Sequence, residues 1–226
     1  MGDRDMQSFQ PLQEKAYTAL QEMIERRELE PGKIYSLTQI AKEMKISRTP
    51  LKDAVVRLSQ AKYVDIIPSK GFCLHEISES DIDDTCQVRQ AIENMCAMAL
   101  IDSQYSSYGR VTMRQMAVIL DEMKAMADQP DKVDEFLELD IRFHNALVGF
   151  LENKALEEIY ASHSYQIRML AKNSLTTNNR MQNTCDEHEA ILNAITDKNY
   201  EACYHAVQKH LISTKELSLL VLKDNK

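Results

Sequence analysis

The sequence lacks the motifs of several common protein classes. Its 226 residues include only five glycines and five prolines and no tryptophan. It has no glycine-rich phosphate loop, no nucleophile elbow and no HExxH motif. It also has no apolar run of about 18 residues, the length from which a membrane-spanning helix is inferred. These absences argue against a membrane protein. They also argue against the common hydrolase classes, because the motifs of those enzymes are missing.

Cysteine usage indicates a reducing compartment. The chain has five cysteines, an odd number, and none of them forms a CxxC pair. No signal peptide is recognisable, so nothing suggests a disulfide framework or export. We therefore expect a cytoplasmic protein.

Charge is distributed unevenly along the chain. The net charge is −8, and 44% of the residues are hydrophobic, enough for two modest domains with their own cores. Between Pro31 and Phe72, however, eight Lys or Arg residues face three Asp or Glu residues, so the remainder of the chain carries a net charge of −13. A basic module joined to an acidic one is typical of a protein that touches DNA with one part only.

The segment from Ser47 to Leu58, SRTPLKDAVVRL, is predicted to form an amphipathic helix. Ser47 is suited to the N-cap and Pro50 to the first turn. Apolar residues recur at helical spacing and form one buried stripe: Leu51, Ala54, Val55 and Leu58. The opposite face carries a hydroxyl group and three cations: Arg48, Thr49, Lys52 and Arg57. Recognition helices contact base edges and phosphates with such residues, mostly near the N-terminal end.

The neighbouring segments complete a winged helix-turn-helix. Residues 38–44 form a short amphipathic helix, and Lys45-Ile46 is a tight turn into the second helix. Two β-prone runs, 63–67 and 71–74, flank a turn with a cation at its tip. The residues expected to contact DNA are Thr38, Ser47, Arg48, Thr49, Lys52, Arg57, Lys70 and Gly71.

The segment from Pro11 to Phe72 resembles the DNA-binding domain of GntR-type bacterial transcription regulators. Four features lie at that family's spacing: the Pro31-Gly32 turn, the Ile40-Ala41 pair, the start of the helix at Ser47 and the wing from Pro68 to Gly71. Three positions depart from the family pattern: Lys52 replaces Arg, Asp53 replaces Glu and Lys62 replaces Gly. Lysine at the first position weakens a bidentate contact with guanine, whereas none of the three changes the expected fold.

The rest of the chain has helical periodicity throughout. A capping-box pattern at Ser78 opens its first helix, so we place the domain boundary near residue 77 and expect domains of 1–77 and 78–226. Six helices are predicted, near 80–103, 109–128, 132–152, 154–173, 180–197 and 199–222. Short connections predict an antiparallel bundle, so the fold class is mainly α, a winged helix-turn-helix followed by a six-helix bundle.

Four polar residues lie on otherwise apolar stripes of this bundle. Asp140 and His144 occupy positions i and i+4 of the third helix, while His188 and His210 lie on the inward stripes of the fifth and sixth. Each histidine alone is more simply a core residue bonded to a backbone carbonyl. A buried unpaired carboxylate is costly, however, and one divalent metal ion satisfies all four groups together.

The same residues resemble the metal-binding motifs of the FCD effector domain of FadR-like GntR regulators. The motifs are LDIRFH, DEHEAIL and QKHL, and the likeness extends over about residues 78–220. It implies that an Asp and three His residues hold zinc, with nickel or manganese as alternatives. A bundle of six helices is more similar to the VanR-like subgroup than to the seven-helix type.

Arg89 and His163 are the candidate effector-binding residues. The VRQAIE segment resembles the R-x-x-x-E start of FCD domains, where the Arg commonly lines the effector pocket, and a guanidinium near a metal suits a small carboxylate. The alternative for Arg89 is a simple pair with Glu93 on the same helix. His163 lies on an apolar stripe and is either a core histidine or part of the same cavity.

These features predict a homodimeric, ligand-responsive transcription regulator, expected to be a repressor. Its partners are a pseudo-palindromic double-stranded DNA operator and a small organic acid that binds at the metal-containing pocket. Two alternatives remain open at this stage. A metal-dependent hydrolase would use the same cluster to activate water, although no general base is apparent. A pure metal sensor would respond to the ion itself.

Overall fold

The computed structural model describes residues 12–26 and 28–224, and it divides into two compact units between Glu76 and Ile77. The described residues form ten α-helices, one short 3₁₀ helix and a two-stranded antiparallel sheet. Among them, no helix is long and apolar enough to cross a membrane. The mainly helical fold class predicted from the sequence is confirmed.

The first unit is a winged helix-turn-helix. Its elements are α1 (Leu12–Glu25), α2 (Leu37–Glu43), α3 (Arg48–Gln60), β1 (Val64–Ile67) and β2 (Gly71–Leu74). The two strands pair with Val64 opposite Leu74, and Tyr35 adds an isolated bridge to Phe72. The core is formed by fully buried apolar residues of the helices and the sheet: Leu20, Leu51, Leu58, Val64 and Phe72.

The end of α3 explains one departure from the GntR pattern. Lys62 has a φ of 52°, in the left-handed region that favours glycine. Its N–H donates to the carbonyl of Ser59, and that of Tyr63 donates to the carbonyl of Leu58. These two bonds form a Schellman motif, which places a left-handed residue just after the helix. Lys62 therefore adopts a backbone conformation for which glycine is better suited.

The second unit contains seven α-helices within the described residues. They are α4 (Glu79–Ser103), α5 (Ser107–Lys124), α6 (Val133–Gly149), α7 (Lys154–Ser162), α8 (Ser164–Leu175), α9 (Arg180–Thr196) and α10 (Tyr200–Asp224). Ser78 and Asp81 form the predicted capping box at the start of α4. The expectation of six helices, on which the likeness to the VanR-like subgroup rested, is wrong by one helix. The predicted 154–173 helix breaks at His163, whose ψ of 7° departs from helical geometry.

Helix α7 is attached to the bundle by little buried surface. Of its nine residues, Tyr160 alone is buried. The remaining helices pack around an apolar core that includes Phe136, Phe143, Leu147 and Met116. Most of the polar side chains buried in this unit lie on α4, α6, α9 and α10.

Candidate metal centre and nucleic-acid interface

Three helices bring the four predicted ligands to one point. Asp140 and His144 are one turn apart on α6, His188 comes from α9 and His210 from α10. All four are buried, with at most 4% of each residue exposed. One ligand atom from each residue can be chosen so that all four lie within 4.8 Å of one another. This group includes both potential oxygen and nitrogen ligands.

Most of the donor atoms in this cluster lack hydrogen-bond partners. His188 Nε2 lies 3.4 Å from Asp140 Oδ1, and His144 Nε2 lies 3.8 Å from the same oxygen. Neither these three atoms nor His210 Nε2 has a hydrogen-bond partner. Buried polar groups without partners are costly, and a carboxylate with imidazoles is a suitable ligand set for a divalent transition metal. The residues present therefore fit a metal ion.

The surroundings of His188 and His210 favour their neutral imidazoles, the form that binds metals. Burial, followed by the neighbouring His210 and His144 rings, holds the pKa of His188 well below its usual value. Burial also lowers the pKa of His210, although a hydrogen bond with Glu187 opposes it. The His188 ring stacks on Phe143 with centroids 4.0 Å apart and planes 2° from parallel. Packing thus fixes the orientation of this ring.

Two buried carboxylates orient the other two rings. His210 Nδ1 is hydrogen-bonded to Glu187 Oε2 at 2.9 Å, and His144 Nδ1 lies 3.0 Å from Glu93 Oε2, at ion-pair distance but without hydrogen-bond geometry. Each contact uses Nδ1 and leaves Nε2 for the cluster. Carboxylates behind metal-binding histidines commonly play this part. The sequence analysis did not assign either glutamate to the metal site.

Arg89 is held in a buried ion pair. Its Nε donates to Glu93 Oε1 at 2.7 Å, and the Tyr160 hydroxyl donates to the same oxygen at 2.8 Å. Burial opposes ionisation of Glu93, but Arg89 and His144 outweigh it and hold the pKa of this carboxyl far below its usual value. Arg89 Nη2 has no hydrogen-bond partner. The pair with Glu93 is therefore present, and one guanidinium nitrogen remains unpaired.

A second buried arginine was not predicted from the sequence. Arg180, the first residue of α9, donates from Nη1 to Glu187 Oε1 at 2.8 Å and from Nη2 to Thr214 Oγ1 at 3.2 Å. Burial again opposes ionisation, but His210 and Arg180 lower the pKa of Glu187 to about 2. Arg180 and Glu187 both lie on α9, but the bonds that connect them to Thr214 and His210 reach α10, and no local pattern predicts those.

His163 is not part of the four-residue group. It lies at the break between α7 and α8, and its Nδ1 is 3.0 Å from the carbonyl oxygen of Ile159. This local contact provides a partner for Nδ1. The structure therefore gives no support to the expectation that His163 lines the metal-containing cavity.

The helix-turn-helix presents most of the predicted DNA contacts on its surface. Exposed side chains at the starts of α2 and α3, and on the wing, are Thr38, Ser47, Arg48, Thr49, Lys52 and Lys70. Ser47 is the N-cap residue of α3, although its side chain makes no capping hydrogen bond. The arrangement places cations and hydroxyl groups where a recognition helix and a wing can reach DNA.

Two of the residues predicted to contact DNA, Arg57 and Gly71, also have a structural role in the first unit. The Arg57 guanidinium binds Glu14 at 2.8 Å and lies 4.2 Å from the centre of the Tyr17 ring, both on α1. Arg57 is therefore engaged with α1 while it stays exposed, and its contact with DNA remains a prediction. A Cβ atom at Gly71, whose φ is 140°, would lie 2.0 Å from the Tyr35 carbonyl oxygen. The fold itself requires glycine there.

A basic winged helix-turn-helix joined to a helical bundle defines a DNA-binding transcription regulator. Residues 12–74 match the bacterial regulatory proteins of the gntR family, and residues 84–213 match the FCD domain. The chain belongs to the GntR family of transcription regulators and carries an FCD domain. The matched families and relatives are transcription regulators rather than enzymes, so the alternative of a metal-dependent hydrolase is set aside.

Curated relatives extend over nearly the whole chain. The HTH-type transcriptional regulator YdhC of Bacillus subtilis is 24% identical over 100% of this chain and 99% of its own length. The transcriptional repressor RspR of Escherichia coli is 21% identical over 96% of this chain and 92% of its own. GntR regulators bind DNA operators and commonly act as dimers.

Solved structures share the fold at low sequence identity. A GntR regulator from Rhodococcus superposes with a TM-score of 0.71 at 18% identity, covering 92% of this chain and 97% of its own. The E. coli protein McbR/YncC gives 0.69 at 16% identity, covering 96% and 100%. The likeness supports the architecture of both units.

Proposed function

We propose that this GntR-family chain is a homodimeric repressor whose operator binding is controlled by a small organic acid bound at a buried divalent metal. The observation that carries the proposal is the cluster of Asp140, His144, His188 and His210, whose facing donor atoms lack hydrogen-bond partners. A structural core has no reason to collect four such groups at one point. A cation is the partner that their chemistry requires.

The metal is proposed to be zinc, with nickel or manganese as the alternatives. Zinc is commonly bound by nitrogen and oxygen ligands at about 2.0–2.2 Å. A bound ion would supply coordination positions for an oxygen atom of the effector. The protein's own groups would fix the ligands, since Glu93 and Glu187 hold two of the rings in position and Phe143 holds the third.

Arg89 is proposed as the residue that selects an acid. Its guanidinium is buried, and its Nη2 has no partner although Nε is paired with Glu93. A carboxylate that binds the metal with one oxygen would gain a charge-assisted hydrogen bond from this nitrogen. His163 has no place in this proposal because its ring is engaged with Ile159.

Operator recognition is assigned to the start of α3 and to the wing. Arg48 and Thr49 are exposed at the helix start and are proposed to read base edges, while Lys70 at the wing tip is proposed to contact phosphate. A two-fold dimer presents two such units, so the operator is expected to be a pseudo-palindrome. The acid can change DNA affinity only if it binds two arrangements of the protein differently.

A pure metal sensor is the second candidate. Glu93 already pairs with Arg89, which leaves less attraction for an acid and favours the ion itself as the signal. Chelation separates the two. A sensor changes its operator affinity reversibly while it stays folded, whereas a structural or ligand-holding ion stabilises the bundle and its removal lowers the melting temperature.

Native mass spectrometry of the full chain tests the proposal directly. The expected result is a dimer that carries one divalent ion per protomer and retains a small acid. Operator binding by the same preparation should then change when the acid is removed by dialysis and restored. A metal-free monomer, or operator binding that is indifferent to both metal and acid, contradicts the proposal.

A further inference from the structure

The buried charges of the second unit are concentrated at the metal cluster. Apart from Asp81, which belongs to the capping box of α4, the buried Asp, Glu, Lys and Arg residues in the described part of this unit are Arg89, Glu93, Asp140, Arg180 and Glu187. Each of them is a predicted ligand, a support of a ligand or the partner of such a support. Their charges can therefore be considered as one set.

Two similar chains of contacts lead to the cluster from different helices. Arg89 Nε is 2.7 Å from Glu93, whose other oxygen is 3.0 Å from His144 Nδ1. Arg180 Nη1 is 2.8 Å from Glu187, whose other oxygen is 2.9 Å from His210 Nδ1. Each guanidinium is thus neutralised by the carboxylate that supports a histidine. Asp140 is the one carboxylate in the set without a cation opposite it.

The net charge of this set limits what can bind there. Two guanidinium groups and three carboxylates sum to a charge of −1, and a divalent ion with neutral imidazoles brings the site to +1. An uncompensated charge in a buried site is costly. One negative charge on a ligand makes the site neutral, whereas a second one returns it to −1.

We infer that the effector carries a single negative charge, so that it is a small monocarboxylic acid rather than a dicarboxylic or tricarboxylic one. The inference rests on the proposed metal site and adds the charge of its ligand. The cluster has the capacity for one carboxylate, at the metal and Arg89 Nη2. A second carboxylate on the same molecule would leave the buried site with a net negative charge.

The cavity lined by Arg180 and Glu187 offers no net positive charge for a second carboxylate, because its two cations, Arg180 and Lys209, face three carboxylates, Asp186, Glu187 and Glu216. Tyr160, which donates to Glu93, also lines a cavity of about 370 Å³ between α6, α7 and α8. Its lining is mostly apolar, with Ile141, Val148 and Ile167, and Glu157 is the one charged residue there. A negative side chain repels a second carboxylate. The uncharged part of a monocarboxylate is compatible with such a lining.

The test compares two acids on the zinc-loaded full chain by calorimetry. Acetate carries one negative charge at neutral pH and malonate carries two. Acetate is expected to bind one per zinc, at least about tenfold more tightly than malonate, even though malonate chelates free metal ions more strongly. Tighter binding of malonate overturns the inference, and so does a failure of acetate to bind. A chain that takes up no zinc contradicts the proposed function instead.

A charge substitution supplies the second arm. Glu187→Gln raises the charge of the set by one, so its affinity for malonate relative to acetate is expected to rise by about tenfold or more. Glu189→Gln is the matched control, because Glu189 lies on the same helix, is exposed and pairs with Lys124. An unchanged ratio in the first variant overturns the inference. Glu93→Gln changes the charge of the set by the same amount, and it replaces Glu187→Gln in the test if that variant does not fold.

Discussion

Glu93 on α4 lies 3.0 Å from His144 on α6, and both side chains are almost completely buried. The carboxylate faces Nδ1, so the ring presents Nε2 to Asp140 and the other histidines. The other oxygen of Glu93 accepts hydrogen bonds from Arg89 and Tyr160. One carboxylate therefore connects the arginine proposed to select the ligand with a histidine proposed to bind the metal.

Replacing His188 with Ala should remove one metal ligand. Metal content measured by mass spectrometry is expected to fall below one ion per protomer. The stabilisation that bound metal provides should be lost as well, about 2.7 kcal/mol when free metal is a hundred times its dissociation constant. His205→Ala on the exposed side of α10 is the control. Full metal content and an unchanged melting temperature in His188→Ala would mean that His188 is a core residue and not a metal ligand.

Replacing Arg89 with Met should destabilise the bundle, because Glu93 would be left as an unpaired buried charge. Breaking such a pair typically costs about 3–5 kcal/mol. The double variant Arg89→Met with Glu93→Gln removes the charge as well and should be more stable than the single one. Chemical denaturation of both variants measures the difference. Equal stability of the two would mean that the buried ion pair does not form in solution.

Three substitutions in the first unit should affect DNA binding differently. Arg48→Ala is expected to reduce discrimination between operator and random DNA, with a loss of about 1–3 kcal/mol on the operator. Lys70→Ala should weaken binding to operator and to random DNA by the same factor and reduce the salt dependence by about one unit of slope.

Arg57→Ala should lower thermal stability with little effect on that slope, because Arg57 is paired with Glu14. Fluorescence anisotropy over a salt series distinguishes the three outcomes, and equal losses on both DNAs for Arg48→Ala would remove it as a base reader.

Gly71→Ala should destabilise the wing more than Gly32→Ala. Both glycines have positive φ angles, so alanine is strained at either position by about 1–3 kcal/mol. A Cβ at Gly71 would in addition collide with the Tyr35 backbone, whereas nothing lies within 4 Å at Gly32. Thermal unfolding of the two variants provides the comparison. A smaller loss for Gly71→Ala would show that the wing shifts freely.

The cluster of one aspartate and three histidines could be predicted from the sequence because its signal is local. Asp140 and His144 interrupt an apolar stripe at helical spacing, and His188 and His210 interrupt two others, so each anomaly is visible within one helix. Glu93 and Glu187, the carboxylates that contact these histidines, have no such local signal. Glu187 binds groups on two helices, and Glu93 reaches His144 from α4 to α6. Pairing between distant helices depends on packing that periodicity does not describe.

Two further differences have similar causes. Arg57 was expected to face DNA because it lies outside the apolar stripe of α3, but α1 packs close enough for Glu14 and Tyr17 to engage it. The break at His163 interrupts a continuous helical pattern without a glycine or proline to mark it. In both cases the local sequence permits two outcomes, and contacts with other helices decide between them.

The weak attachment of α7 gives the bundle a segment that can open by itself. Because Tyr160 is the one buried side chain of this helix, detaching α7 exposes little apolar surface and costs far less than global unfolding. Such a movement would withdraw the Tyr160 hydroxyl from Glu93 and would uncover the buried ion pair beside the cluster. We therefore expect a molecule from solvent to reach Arg89 through a local opening of α7, while the rest of the bundle stays folded.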